Sequence, residues 1–273
     1  MSARQRRVDR MLWLLLAVGI VATVVALGSR DFWDPERWRI LLDTDLLRLL
    51  GEGAIKTIWV GIVSLAISVV LAVALGRWGM SRHRPLRAAV AIYVELFRGL
   101  PLLLLIFFLY LGLPRLGLEI STFWALTVGI SLFTSANLAE ILRGGIDALG
   151  RGQREAAESL GMSERDSFFR VLLPQATRMM LPSAIAQLVI LVKETSLGFV
   201  IGYTELLRNG RSAVEFLGSA YAPAIYVAVA LFYLAINVSL TLLARRLARR
   251  PRVKPPAAEA ELTSGVDSGG VRV

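Results

Sequence analysis

Residues 153–174 read QREAAESLGMSERDSFFRVLLP and form a polar island between two long apolar stretches. A loop of about half that length joins most neighbouring helices, so the extra chain points to a contact with a partner. Residues 153–160 are good helix formers, and Gly161 is a natural stop because glycine tolerates the left-handed conformation at a helix C-terminus. Ser163 then reads as an N-cap with Asp166 as its capping-box partner. The second helix is expected to run to about Leu173 and to end at Pro174. Two short helices hinged at Gly161 result, the first with a small, flat apolar face of Ala156, Ala157 and Leu160. On these residues alone, an amphipathic linker lying on the bilayer surface fits equally well.

The surrounding composition is that of a polytopic helical membrane protein. Of 273 residues 55% are hydrophobic, and the mean hydropathy of +0.60 is too apolar for a soluble domain. The net charge of +10 lies in short segments between apolar stretches rather than on one patch, which argues against nucleic acid as a partner. The absence of cysteine excludes disulfides and thiol chemistry. The single histidine, His83, sits among basic loop residues and reads as solvated rather than as a metal ligand.

Six apolar stretches are expected to cross the membrane: 11–28, 54–76, 88–112, 120–142, 181–203 and 222–244. The first follows Arg4, Arg6, Arg7 and Arg10. It is long for a signal-peptide core and is followed by further spans, so it reads as an uncleaved helix. Within the loop at 29–53, residues 40–50 are expected to form a short helix on the membrane surface, beside the interfacial Trp33 and Trp38. Residues 204–221 read as a second loop on that side. With both termini inside, 21 of 31 Lys and Arg fall in cytoplasmic segments, eight fall outside and two, Arg98 and Lys193, fall within spans. The inverted topology reverses that bias and is rejected.

Ionisable groups at membrane depth mark a function or a paired contact. Glu95 and Arg98 share a helix face and are positioned to pair, just before Gly99 and Pro101 interrupt the third stretch. Asn137, Glu140 and Arg143 recur every three residues at the end of the fourth. For Glu95, Asn137, Glu140 and Arg143 structural pairing is the favoured reading. Lys193, with Thr195 and Ser196 beside it, lies about 18 Å from the start of the fifth stretch, near the midplane. Lining of a path and helix packing fit these three equally well.

The island's spacing, E-A-A at Glu155, Ala156 and Ala157, then Gly161 and a terminal V-L-L-P ending at Pro174, resembles the EAA loop of the membrane subunits of bacterial ATP-driven importers. Val171 stands where isoleucine is usual in that pattern. The runs ELFRGLP at 95–101, AEILRGGI at 139–146, and LPSAI at 181–185 through KETSL at 193–197 are similar to the polar amino-acid branch of these permeases. The likeness covers about residues 46–246.

The resemblance implies an all-α membrane protein with six transmembrane helices: a five-helix type I ABC importer core plus an N-terminal helix. It divides the chain into a cytoplasmic N-terminus (1–10), the extra helix (11–28), an outer loop (29–53), a permease domain (54–246) whose coupling loop is 152–174, and a disordered cytoplasmic tail (247–273). The loop then forms coupling helices that dock on a separate ATPase through Glu155, Ala156, Ala157, Gly161 and Pro174. Arg98, Lys193, Thr195 and Ser196 become candidates for the translocation path, and Gly161, the Gly99–Pro101 break and Pro182 for flexing points.

Implied partners are two ATP-binding subunits, a second permease subunit of the same or a similar chain, an extracytoplasmic amino-acid-binding protein and membrane lipid. The location is the bacterial cytoplasmic membrane. ATP and magnesium are expected on the partner, and the chain itself is expected to carry no cofactor and no enzymatic activity. A phosphate-binding G-x-x-x-x-G-K-[ST], a G-x-S-x-G and an H-E-x-x-H are all missing from the sequence. A cationic path residue suits an acidic amino acid or the α-carboxylate common to all of them, which leans the substrate to glutamate or glutamine. The competing readings are an ion-coupled secondary transporter or channel, which leaves the island unexplained, and an intramembrane enzyme, for which no nucleophile–base pair is apparent.

Overall fold

The computed structural model describes residues 34–248, and those residues contain helices and turns with no strand. The expected span at 11–28, the N-terminus before it and the tail beyond 248 lie outside the described residues.

A short helix, α1 (Pro35–Arg39), opens on Asp34, whose carboxylate accepts the Glu36 N–H at 3.0 Å. After a 3₁₀ turn at Ile40–Leu42, Asp43 caps the 36-residue α2 (Thr44–Gly79) by accepting from the N–H groups of Asp45 and Leu46. The surface helix expected over 40–50 is therefore not separate: most of it is the first turns of α2. At about 54 Å, α2 outruns the ~30 Å hydrocarbon core. Its projecting end is held by protein contacts, with Leu46, Leu50 and Ala54 packing on Leu206, Ala213 and Ile225.

Next come α3 (Arg84–Gly99) and α4 (Leu102–Phe107), the latter extended by a wide π turn at Phe108–Gly112 and a 3₁₀ turn at Leu113–Leu116. The chain bends by 101° between the two arms. Leu100, the residue before Pro101, is extended (φ −79°, ψ 134°) because the proline ring excludes it from the helical region. The third expected span is thus a bent pair broken where the sequence placed the interruption.

The central helix is α5 (Thr122–Asp147): 67% of its most apolar window is buried within the chain, against 17% for the last helix. Residues 204–221, expected as a loop, contain the helix α9 (Leu206–Leu217). The last helix, α10 (Ala222–Ala248), includes the first two residues of the expected tail. Among the described residues four helices are long and apolar enough to cross a membrane, or five spans if the bent pair counts as one.

Small residues bring α2 and α5 together. Ser64 and Ser68 on α2 face Thr127 and Ser131 on α5, and all four are buried. Ser68 and Ser131 each donate to the carbonyl one turn back at 2.6 Å and approach the other helix's carbonyls at 3.3–3.4 Å. In lipid, close approach of small side chains drives helix association because no hydrophobic gain separates helix from tail.

Glu205, fully buried, caps α9 by accepting from the N–H groups of Leu207 and Arg208 at 2.8 Å, and accepts from the Tyr233 hydroxyl at 2.6 Å. Burial pushes its carboxyl above the ordinary range, opposed by the Tyr233 hydroxyl and those two N–H groups.

Two glycines on α2 separate close packing from helix propensity. A Cβ on Gly53 would sit 2.8 Å from the Leu206 Cα, whereas one on Gly51 meets nothing within 4 Å. Gly53→Ala is expected to cost about 1–3 kcal/mol and to lower the melting temperature of the detergent-solubilised protein. Gly51→Ala should leave it unchanged or raise it slightly.

Candidate functional site

The polar island folds as α6 (Arg151–Ser159), a tight link, and a helix that continues into the membrane. Gly161 takes the left-handed conformation (φ 74°). The Gly161 N–H bonds the Glu158 carbonyl at 2.9 Å and the Met162 N–H reaches Ala157 at 3.1 Å, a Schellman stop. Ser163 caps the next helix: its Oγ accepts the Asp166 N–H at 3.1 Å and donates to the Asp166 carboxylate at 2.6 Å. The reciprocal half of a capping box is thus made to the hydroxyl rather than to the Ser163 N–H.

The second helix does not end at Pro174. A short α7 (Glu164–Asp166), a π turn at Ser167–Leu172, α8 (Leu173–Glu194) and a 3₁₀ segment at Thr195–Ile201 form one 38-residue run. The π turn widens the ladder just before the proline, with the Leu173 N–H reaching back to Phe168, and Pro174 sits in the first turn of α8 where its missing N–H is tolerated. The Gln175 side-chain amide donates to the Val171 carbonyl at 3.0 Å and to Gln153 Oε1 at 3.2 Å, tying α8 to α6.

The expected flat face of α6 is divided. Ala157 is buried, whereas Glu155, Ala156 and Leu160 point outward, Leu160 82% exposed. Behind them, Phe168 is buried against Leu142 and Ala176, a contribution of about 2–3 kcal/mol. Charge adds a clamp that sequence reading missed. Glu164 lies 2.8 Å from Arg82 Nε and 3.5 Å from Arg77 Nη2, and Glu158 pairs with Arg154 at 3.1 Å. The acids at 158 and 164 and the arginines at 77 and 82 are far apart in sequence, and no local spacing signals the pairing.

Above this segment opens a cavity of about 900 Å³ between α2, α3 and α5. The expected Glu95–Arg98 pair is not formed. Arg98 instead reaches across to Glu140 at 3.7 Å, and Glu95 is exposed along the same cavity. Glu140 also pairs with Arg143 (Nε 3.1 Å), and Arg143 with Asp147 at 3.3 Å, so one chain of charges links the end of α3 to the end of α5. Asn137 takes no part and donates to the Phe133 carbonyl of its own helix at 2.9 Å.

A second groove, about 840 Å³, runs between α8 and α10. Lys193 and Ser196 line it; Lys193 is exposed and Ser196 donates to the Lys193 carbonyl at 2.7 Å. Thr195, expected beside them, is fully buried away from the groove with its hydroxyl donating to Val192 at 2.7 Å. Asn237, which sequence reading did not single out, joins the lining. Its amide donates to Tyr233 at 2.8 Å while its buried Oδ1 has no partner among the described residues.

Comparison with known proteins places this architecture. The family described as binding-protein-dependent transport system inner membrane component matches residues 65–253, more than half of the chain. The chain belongs to that family. This transport-system component is 38% identical over 206 residues to the probable glutamine ABC transporter permease protein GlnP of Bacillus subtilis, covering 74% of this chain and 93% of the relative. It is 39% identical over 223 residues to the glutamate transport system permease protein GluD of Corynebacterium glutamicum, covering 80% and 81%. A crystal structure of an amino acid ABC transporter with histidines superposes with a TM-score of 0.69 at 29% identity, covering 78% of this chain and 98% of that one. The family's inner-membrane character agrees with the apolar helices, and the chain is a multi-pass membrane protein.

The clamp on the polar segment is testable. Glu164→Gln is expected to speed amide hydrogen exchange over residues 151–160 by about 3- to 10-fold, because partly exposed ion pairs contribute modestly. Exchange over the α2–α5 seam should not change.

Proposed function

We propose that this chain is the permease subunit of an ATP-driven importer of polar amino acids, glutamate or glutamine favoured. It forms the translocation path and couples it to a separate ATPase. The carrying observation is the unbroken helical run from Glu164 to Ile201, which joins the polar segment to the groove holding Lys193 and Ser196. A push at one end of a helix about 57 Å long is felt at the other.

In this reading Glu155, Ala156 and Leu160 present the docking face to the ATPase, Gly161 sets the angle, and Pro174 lies where the segment passes into the membrane helix. The Glu164–Arg77 and Glu164–Arg82 pairs carry displacement into α2, and the Arg98–Glu140–Arg143 chain carries it to the bent pair. Lys193, Ser196 and Asn237 line the path with a cation and small polar groups, which suits the carboxylate every amino acid carries. Thr195 packs the helix instead. The partners are two ATP-binding subunits that hold ATP and magnesium, a second permease subunit of the same or a similar chain, and an extracytoplasmic binding protein. The polar segment and both termini face the cytoplasm.

The first test is co-purification from gently solubilised native membranes. A nucleotide-binding ATPase should accompany the wild type and be lost from Glu155→Lys, whose exposed side chain enters no hydrogen bond or ion pair among the described residues, so the variant should insert normally. ATP-driven uptake in that variant should fall by at least about tenfold, the usual scale of a reversed charge at an interface. Uptake by the purified chain alone, without ATP or partners, would overturn the reading. Lys193→Ala should reduce uptake several-fold with membrane level unchanged; unaltered uptake removes Lys193 from the path, and a lost membrane level assigns it to packing.

A further inference from the structure

A third groove, about 610 Å³, lies on the flank of the bundle beside the polar segment and belongs to neither cavity above. We infer that it is a binding site for an anionic phospholipid of the surrounding membrane, seated between the end of α2 and the helix that follows Ser163.

The groove has two chemically distinct ends. Val70, Val73 and Leu86 make an apolar wall. Val70 is 70% exposed and lies about 10 Å of helix rise from Arg77, within the last turns of the apolar stretch of α2. At the other end stand Arg77, His83 and Arg165. Trp78, half-exposed and next to Arg77 near the end of α2, takes the place that indole favours at a membrane–water boundary. Acyl chain against the wall and phosphate against the cations is the arrangement this polarity asks for. A free inorganic anion leaves the wall unused, and a zwitterionic headgroup gains less from the cations.

The charges favour an anion. The two acids flanking Arg165 in sequence are already engaged, Glu164 by Arg77 and Arg82 and Asp166 by Arg170. Arg165 is exposed and enters no ion pair among the described residues. A bound phosphate would complete a set of contacts bridging α2, the 81–83 link and the helix carrying Phe169, which also lines the groove. The lipid would thereby brace the same segment that Glu164 clamps.

The test is native mass spectrometry of the detergent-solubilised protein with whatever subunits co-purify, titrated with phosphatidylglycerol or phosphatidylcholine. The wild type should retain phosphatidylglycerol preferentially. Arg165→Gln should weaken that retention about fivefold, the usual factor for one basic residue at an anionic surface. Val70→Trp, which fills the apolar wall from an exposed position, should weaken both lipids. Arg115→Gln, in the turn after α4, is the control and should change neither. Equal retention of the two lipids by the wild type overturns the site. So does unchanged retention in Arg165→Gln, since that side chain has no internal ion pair whose loss would unfold the protein. Full displacement of phosphatidylglycerol by inorganic phosphate, with Val70→Trp behaving as wild type, reassigns the rim to a headgroup-sized anion and also overturns it.

Discussion

Everything here depends on two long helices approaching closely without a hydrophobic drive between them. Lipid tails are as apolar as leucine, so α2 and α5 gain little by hiding apolar surface from them. What they share is a seam of Ser64, Ser68, Thr127 and Ser131, small enough for the backbones to come near. Ser68 and Ser131 satisfy their hydroxyls on their own helix first and lean on the neighbour second, while the buried Thr127 Oγ1 has no partner among the described residues. With that pair set, α5 becomes the axis, α3 and α8 pack around it, and the cavity bordered by Arg98 and Glu140 opens between α2, α3 and α5.

Three prolines show how context decides what one residue does. Pro101 breaks a helix, because Leu100 before it becomes extended and the two arms turn through 101°. Pro174 does not, because the π turn ahead of it has already widened the hydrogen-bond ladder. Pro182 lies inside α8 with the helix continuous on both sides. A broken helix exposes backbone that lipid cannot satisfy, so the bend at Pro101 must face protein or a wet cavity. The Arg98–Glu140 pair beside it supplies a polar setting. Continuity at Pro174 instead keeps the polar segment and the residues lining the Lys193 groove on one helical run.

Charge does its work at the ends of helices rather than in their middles. Glu158 and Glu164 meet arginines from α2, α6 and the 81–83 link, and Glu140 meets Arg98 and Arg143. Individually such half-exposed pairs are weak. Together they connect the polar segment, α2, α3 and α5 through groups that re-pair at little cost.

The sequence by itself determined the class of protein, the long apolar segments among the described residues, the stop at Gly161 and the break at Pro101, though not the helix at Leu206–Leu217 or the continuity through Pro174. Apolar length sets a membrane helix, and Gly161, Ser163 and Pro101 act through their own backbone chemistry, which needs no distant partner. It also carried the family, because the E-A-A, Gly and V-L-L-P spacing lies in one contiguous stretch. Only the tertiary structure decided what required two distant pieces of chain. Residues 40–50 join α2 rather than lying on the surface because Leu206 and Ile225 wait to cover Leu46 and Leu50. Arg98 leaves Glu95 for Glu140 because α5 passes beside it. Thr195 turns inward while Lys193 and Ser196, three residues apart on one helix face, line the groove, and it is the packing around α8 that decides which of the two faces is buried. Asn237 reaches that groove only because α10 packs against α8, a pairing that no local pattern encodes.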